Sequence, residues 1–137
     1  MYYSQLTIHN SQQNRNMKDE QFNKGMQTRR SVLGDTHVDK AEANKTDFDS
    51  DFQEYITRSA WGDVWSRPGL TKRERSLIVI ALMTALGHDE ELAMHIRATK
   101  NKGATKEDVK EVLLQTAVYA GVPAANRAFK IARVILG

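Results

Sequence analysis

The sequence predicts an all-α protein of about six helices, and three observations support this fold class. From Lys18 to the C-terminus, apolar residues recur at helical spacing, and no segment shows the sustained alternation of a β-strand. Only two prolines and eight glycines interrupt the 137 residues, which leaves room for long helices. Start and stop signals for helices also recur along the chain.

The N-terminal half is divided by glycine and proline. Residues 18–33 predict a first helix that ends at Gly34, and the polar stretch 35–45, which contains His37, is expected to be a connection. Thr46 or Asp47 is expected to cap a second helix. One face of that helix is expected to carry Phe48, Phe52, Tyr55, Ile56 and Ser59. Gly62 is expected to interrupt it before a turn at residues 67–69.

Helix signals are clearer in the C-terminal half. A capping box at Thr71 indicates the start of a helix that contains the apolar stretch 77–86. We expect this helix to be the central buried one and to end at Gly87. Further helices are predicted at 89–102 and from Thr105 to Gly121. A last helix is predicted to have Pro123 in its first turn and to extend to Leu136.

Residues 1–16 differ in composition from the rest of the chain. Half of them are Ser, Asn or Gln, and Arg15 is their only charged residue, so we expect a disordered or non-native extension. An interaction tail is the alternative. The working domain is predicted to span residues 17–137.

Composition excludes several classes of protein. Without cysteine there can be no disulfide, thiolate zinc site or Cys-x-x-Cys redox centre. A net charge of +3 without a basic stripe gives no support for nucleic-acid binding. The longest apolar run has about half the length that a bilayer requires, so we expect no membrane span and a cytoplasmic location.

His88, Glu91 and His95 form the most informative cluster. On a helix these positions share one face, and Glu91 lies one turn from His95. A carboxylate beside an imidazole can hold the ring in one tautomer and raise its pKa, which gives a general acid or base near neutral pH. An ordinary surface pair and a metal site are the alternatives, and the spacing alone does not decide between them.

A second cluster places both tryptophans, Trp61 and Trp65, just before Arg67. Aromatic walls with a guanidinium suit a small, flat, anionic ligand, although core tryptophans beside a surface arginine would give the same pattern. Arg75 precedes the apolar run and is the arginine expected to be drawn inward. Taken alone, His37 is expected to be structural.

Taken together, these motifs resemble the γ-carboxymuconolactone decarboxylase family over residues 17–137. The matching stretches are 30–38, 61–70, 75–77, 87–95 and 119–126. The wider superfamily includes alkylhydroperoxidase D, whose Cys-x-x-Cys lies at the positions of His88 and Glu91. The peroxidase chemistry is therefore absent, and an acid/base pair remains.

The resemblance implies an alkylhydroperoxidase D-like helical fold and a cofactor-independent, metal-free carboxy-lyase of protocatechuate catabolism in the β-ketoadipate pathway. His95 would donate the proton and Glu91 would orient it, or the reverse. Arg67 or Arg75 would bind the spectator carboxylate, and His37 would donate to the lactone oxygen. Trp61 and Trp65 would flank the ring, with His88 also in the binding site. The family forms ring-shaped homo-oligomers, commonly hexamers. The alternative is the same scaffold acting on a different lactone, or binding a small carboxylic acid without turnover.

Overall fold

The computed structural model describes residues 2–137, and every regular element among them is helical, in agreement with the predicted fold class. Seven α-helices are joined by one π-helix and two short 3₁₀ helices in this part of the chain. The described chain divides into two compact units. One contains residues 2–31 and 35–67, and the other contains residues 32–34 and 68–137.

The first unit contains three α-helices followed by two irregular helices. Their bounds are α1 Tyr2–Leu33, α2 Asp35–Asn44, α3 Ser50–Ile56, a π-helix Thr57–Asp63 and a 3₁₀ helix Val64–Ser66. Gly34 separates α1 from α2, and its φ of 91° explains why glycine stands at the predicted stop.

Helix α1 extends further towards the N-terminus than the composition suggests. Residues 2–16, expected to be disordered, are helical, and all of them are exposed. Backbone hydrogen bonds within the segment satisfy its polar groups without any packing against a core. Met1 lies outside the described residues, and the domain boundary at residue 17 and the non-native origin of the extension stay predictions.

The prediction of a polar connection over residues 35–45 is wrong, because α2 occupies most of that stretch and places His37 on a helix. Long-range ion pairs stabilise this helix. The buried Arg29 donates to Glu42 Oε1 at 3.3 Å, and Arg30 donates to Asp39 Oδ1 at 2.8 Å. Burial lowers the pKa of the Arg29 guanidinium, and the neighbouring Glu42 carboxylate opposes that shift.

Helix α3 is shorter than predicted, and its apolar stripe faces solvent. The helix begins after Asp49, whose side chain accepts from the backbone N–H of Thr46 at 2.8 Å. Phe48 is 99% exposed, and Phe52 and Tyr55 are also exposed. The aromatic residues therefore add little to the core of this chain.

The sequence predicted that Gly62 interrupts a helix, but Gly62 lies inside the π-helix. A Cβ atom at Gly62 would lie 2.4 Å from the carbonyl oxygen of Gln21, and one at Gly25 would lie 2.0 Å from that of Thr57. Glycine at both positions therefore allows the backbones of α1 and the π-helix to touch.

The second unit is a bundle of four α-helices. They are α4 Lys72–Leu86, α5 Asp89–Arg97, α6 Lys106–Ala120 and α7 Val122–Leu136, with a 3₁₀ helix Ala98–Asn101 after α5. Helix α4 packs against α5 and α6, and α7 packs against α5 and α6. Their shared core contains Ile80, Leu92, Ile96, Val109, Leu113, Ala128 and Ala132.

Most of the predicted helix ends of this unit are confirmed. The Thr71 hydroxyl accepts from the backbone N–H of Glu74, and Thr105 and Asp108 form a complete capping box. Gly87 ends α4 in the left-handed conformation at φ 76°, and Pro123 lies in the first turn of α7.

The expected central buried helix, α4, is buried on one face only. One face packs inward through Ser76, Ile80 and Thr84, whereas Leu82 and Leu86 on another face are exposed. The apolar composition of α4 is therefore only partly explained by the core of the second unit.

No helix in residues 2–137 combines the length and the apolar composition that crossing a membrane requires.

Candidate functional site

The two tryptophans form a tilted ring pair in the first unit. Trp61 lies in the π-helix and Trp65 in the 3₁₀ helix that follows, and both are buried. Their ring centroids are 5.1 Å apart and their planes are inclined by 32°. This separation lies within the range in which aromatic rings attract one another. The structure thus brings two predicted site residues together as one buried aromatic pair.

Two hydroxyl groups hold the backbone that carries this pair. Ser66 Oγ donates to the carbonyl oxygen of Trp61 at 2.6 Å and lies 2.8 Å from Thr28 Oγ1. Ser66 lies within the matching stretch 61–70 but had no predicted role, and nothing in the sequence indicates a role for Thr28. Their contribution becomes visible only when α1 and the two short helices are placed together.

Arg67 follows the tryptophan pair directly. The backbone becomes extended there, with φ −72° and ψ 140°, and the residue is exposed. Proline at position 68 favours this extended conformation for the residue before it. Arg67 therefore lies at the end of the 3₁₀ helix, two residues after Trp65. His37 lies in the same unit and is exposed on α2.

Helix α5 carries the predicted acid/base pair in the second unit. Glu91 lies in the first turn and is exposed, whereas His95 lies in the last turn and is only 7% exposed. Leu92 and Ile96 pack into the core and fix the rotation of the helix about its axis.

His88 precedes this helix as its N-cap residue and is exposed. Within residues 2–137, no three His, Cys, Asp or Glu side chains are arranged to hold a metal ion. The geometry therefore does not group His88, Glu91 and His95 as metal ligands.

Arg75 lies near the start of α4 and is half-buried, whereas its neighbour Arg73 is exposed. Arg73 Nε donates to Asp108 Oδ2 at 3.1 Å, and this pairing joins the starts of α4 and α6. The hydrogen bond from Arg73 lowers the pKa of the Asp108 carboxyl group, and the backbone N–H of Thr105 lowers it further. Arg73 is thereby engaged structurally, and Arg75 is the arginine of α4 that the sequence predicted to be a site residue.

A buried lysine was not anticipated from the sequence. Lys102, in the turn after the 3₁₀ helix of the second unit, is 7% exposed, and burial lowers its pKa to about 8. Its position in a polar stretch before Gly103 is typical of a solvated residue, so the sequence carries no signal for its burial.

The eight predicted site residues divide equally between the two units. His37, Trp61, Trp65 and Arg67 belong to the first unit, and Arg75, His88, Glu91 and His95 belong to the second. Each group contains residues for part of the chemistry expected from the sequence. The first unit holds the aromatic pair and an arginine, and the second unit holds the predicted acid/base pair and an arginine.

Comparison with known proteins identifies relatives over most of the chain. A family model described as the carboxymuconolactone decarboxylase family matches residues 50–134. A 4-carboxymuconolactone decarboxylase of Acinetobacter baylyi is 48% identical over 120 residues, which cover 87% of this chain and 90% of that protein. The nitrosuccinic acid decarboxylase npaB of Metarhizium robertsii is 40% identical over 107 residues, or 78% of this chain and 75% of that protein.

Proposed function

The chain belongs to the carboxymuconolactone decarboxylase family, and we propose that it converts γ-carboxymuconolactone to β-ketoadipate enol-lactone and CO2 in protocatechuate catabolism. The observation that carries this proposal is the 48% identity to the Acinetobacter enzyme over 87% of the chain. His95 is buried and lies one helical turn from Glu91, and these two residues are the proposed acid/base pair.

The substrate can hold the electrons of the breaking bond itself. When the carboxylate on the γ carbon leaves as CO2, its bonding pair moves through the ring double bond into the lactone carbonyl. The resulting dienolate has the aromatic character of a 2-oxyfuran, and protonation of its α carbon gives the enol-lactone. The reaction therefore needs no organic cofactor or metal as an electron sink.

Three tasks remain for the protein. It must bind the acetate arm, stabilise the developing enolate oxygen and protonate the α carbon. Arg67 or Arg75 is the proposed partner of the acetate arm, since a guanidinium binds a carboxylate through two parallel hydrogen bonds. His37 is proposed to donate to the lactone oxygen, and His88 is proposed as a further binding residue.

His95 is the proposed proton donor, and Glu91 is proposed to orient it and to keep it protonated. His95 lies in the last turn of α5, one helical turn after Glu91. Glu91 is exposed and belongs to the first turn of the same helix.

The Trp61–Trp65 surface is proposed to lie against the flat lactone ring. Apolar walls also exclude water from the departing carboxylate, whose charge disappears as CO2 forms. The 5.1 Å ring separation and the burial of both indoles support a rigid surface of this kind.

Decarboxylation of a nitro acid is the second candidate, because the Metarhizium relative is named a nitrosuccinic acid decarboxylase. A nitro group can accept the electron pair as a nitronate, just as the lactone accepts it as a dienolate. The two substrates share a second carboxylate, which the same arginine would bind. Action on a different lactone is a further alternative. Carboxylic acid binding without turnover is weaker, because it does not need the Glu91–His95 pair.

The deciding experiment supplies freshly generated γ-carboxymuconolactone to protein treated with chelator and measures CO2 release above the spontaneous rate. Nitrosuccinate is tested in parallel. We expect rapid, chelator-insensitive release from the lactone. Release only from nitrosuccinate would establish the second candidate, and release abolished by the chelator would identify a metal-dependent enzyme.

Self-association is proposed on the exposed apolar surface of α4 and α6. A groove of about 500 Å³ lies between these helices, and its lining includes Ile78, Leu82 and Tyr119. These three side chains are 45%, 49% and 87% exposed. Contiguous apolar surface of this kind in a monomer marks an interface, and a second copy would present the same surface to it. The hexameric state and the cytoplasmic location remain predictions.

Light scattering after size-exclusion chromatography tests this surface. We expect an oligomer for the wild type and dissociation in Leu82→Glu, which places a charge in the groove. Gln27→Glu adds the same charge at an exposed position on α1 and is the matched control. A monomeric wild type would contradict the proposal.

A further inference from the structure

We propose that the hydroxyl groups of Thr28 and Ser66 position the Trp61–Trp65 ring pair for substrate binding, an inference that rests on the proposed function. Neither residue is placed against the substrate. Both act on the backbone that carries the rings, so they are positioning residues rather than catalytic ones.

The hydrogen bonds define a single direction through the hydroxyl pair. Ser66 has one hydroxyl proton, and it is donated to the carbonyl oxygen of Trp61 at 2.6 Å. At the 2.8 Å contact with Thr28, Ser66 must therefore accept and Thr28 must donate. The chain of bonds runs from the Thr28 hydroxyl through the Ser66 hydroxyl to the Trp61 carbonyl, and each bond polarises the next.

This chain spans the point at which the helix type changes. Trp61 lies in the π-helix, and Ser66 is the last residue of the 3₁₀ helix. The two helix types have different numbers of residues per turn, so the relative orientation of Trp61 and Trp65 depends on how this junction is held. The Ser66–Trp61 bond closes the junction across five residues and thereby fixes the separation of the two rings.

Helix α1 supplies the rigid support for the junction. Gln21 Nε2 donates to the carbonyl oxygen of Arg58 at 3.2 Å, and one turn later Gly25 lies against the backbone of the π-helix. Thr28 is the next contact along the same face of α1, and it is buried. The hydroxyl pair thus joins the contacts at Gln21 and Gly25 in attaching the tryptophan segment to α1.

The test compares Thr28→Val and Ser66→Ala with Thr28→Ser in the full-length protein. Thr28→Val keeps the shape of the side chain but removes the donor, whereas Thr28→Ser keeps the donor. Near-UV circular dichroism reports the ring pair, because Trp61 and Trp65 are the two tryptophans of the chain. We expect the tryptophan bands to change in Thr28→Val and Ser66→Ala, and to be restored in Thr28→Ser.

Kinetics with γ-carboxymuconolactone supply the second readout. We expect KM to rise about fivefold in Thr28→Val and Ser66→Ala, the effect of one ordinary hydrogen bond, while kcat changes less than about twofold. Ser59→Ala is the matched control, because the Ser59 hydroxyl also bonds to a backbone carbonyl of the same segment, that of Tyr55, at 2.7 Å. Far-UV circular dichroism verifies that each variant is folded.

Unchanged tryptophan bands in Thr28→Val and Ser66→Ala would overturn the inference. So would changed bands with an unchanged KM, because the rings would then move without consequence for binding. A wild type with no decarboxylase activity would overturn the proposed function and the role of the pair in binding. The dichroism spectra would in that case still decide whether the hydroxyl groups fix the rings.

Discussion

Trp61 and Trp65 form a ring pair with centroids 5.1 Å apart, although one lies in a π-helix and the other in a 3₁₀ helix. In a regular α-helix, residues four apart lie one turn above each other on a single face. The change of helix type replaces that arrangement with a tilted, buried pair. The aromatic pair to which we assign the lactone ring thus lies across the junction of two irregular helices.

Replacement of the acid/base pair is expected to abolish most of the turnover. His95→Gln and Glu91→Gln should each lower kcat by about 100-fold or more, the contribution of a positioned general acid. The matched control is Glu90→Gln, which neutralises the exposed neighbour of Glu91 on the same helix. Steady-state kinetics on variants with wild-type far-UV dichroism provide the measurement. Wild-type turnover in both variants would place the chemistry elsewhere.

Removal of the Arg67 guanidinium is expected to weaken substrate binding more than turnover. In Arg67→Ala we expect KM to rise about tenfold or more and kcat to change less than about threefold, because the spectator carboxylate keeps its charge throughout the reaction. Arg97→Ala removes an exposed arginine from α5 and is the control. An unchanged KM would eliminate Arg67 as the carboxylate ligand and leave Arg75 for the same test.

Alanine at Gly25 is expected to destabilise the protein although it favours helix formation. A Cβ atom there would lie 2.0 Å from the carbonyl oxygen of Thr57, so the backbones of α1 and the π-helix would have to separate. We expect the free energy of unfolding to fall by about 3 kcal/mol, which outweighs the roughly 1 kcal/mol that alanine gains in a helix interior.

Gly69→Ala is the matched control, because nothing lies within 4 Å of a Cβ atom built at that position. Denaturant unfolding of both variants gives the comparison. A Gly25→Ala protein at least as stable as the wild type would show that the backbone contact is absent in solution.

The buried Lys102 predicts a pH dependence of stability. Its pKa falls from 10.5 to about 8 on folding, so between these two pH values the unfolded chain holds more protons than the folded one. The contribution of Lys102 to the free energy of unfolding therefore rises from about pH 8 to about pH 10.5.

Lys102→Met should remove this contribution. At pH 7 the variant should be more stable than the wild type by about 2 kcal/mol, and this difference in the free energy of unfolding should shrink as the pH approaches 10. Lys100→Met, which alters an exposed lysine of the same turn, should leave the pH profile unchanged. Denaturant unfolding at several pH values measures both effects. Parallel profiles for the wild type and Lys102→Met would contradict the prediction.

Helix class and most helix ends of the second unit could be predicted because their signals are local. Thr71, Gly87, Thr105 and Pro123 each act on the adjoining backbone alone. Helix α2 was missed because its stability comes from distant partners. Glu42 pairs with Arg29 of α1, and such a contact leaves no periodic pattern in the sequence.

The candidate site shows the same division between local and distant information. The spacing predicted that Glu91 and His95 lie one helical turn apart, and this could be predicted because both belong to α5. The roles of Thr28 and Gly25 could not be predicted, since each depends on contact with a segment more than thirty residues away. The exposed face of α4 was taken for core, because an apolar pattern does not specify whether the same chain or another copy covers it.

Decarboxylation of γ-carboxymuconolactone in D2O, followed by NMR of the product and by CO2 release, tests the central claim most directly. Enzymatic protonation of the dienolate predicts one deuterium at the α carbon in a single configuration, at a rate that falls about 100-fold in His95→Gln. CO2 release no faster than the spontaneous reaction, or deuterium in both configurations, would contradict the claim that this protein decarboxylates the lactone and delivers the proton.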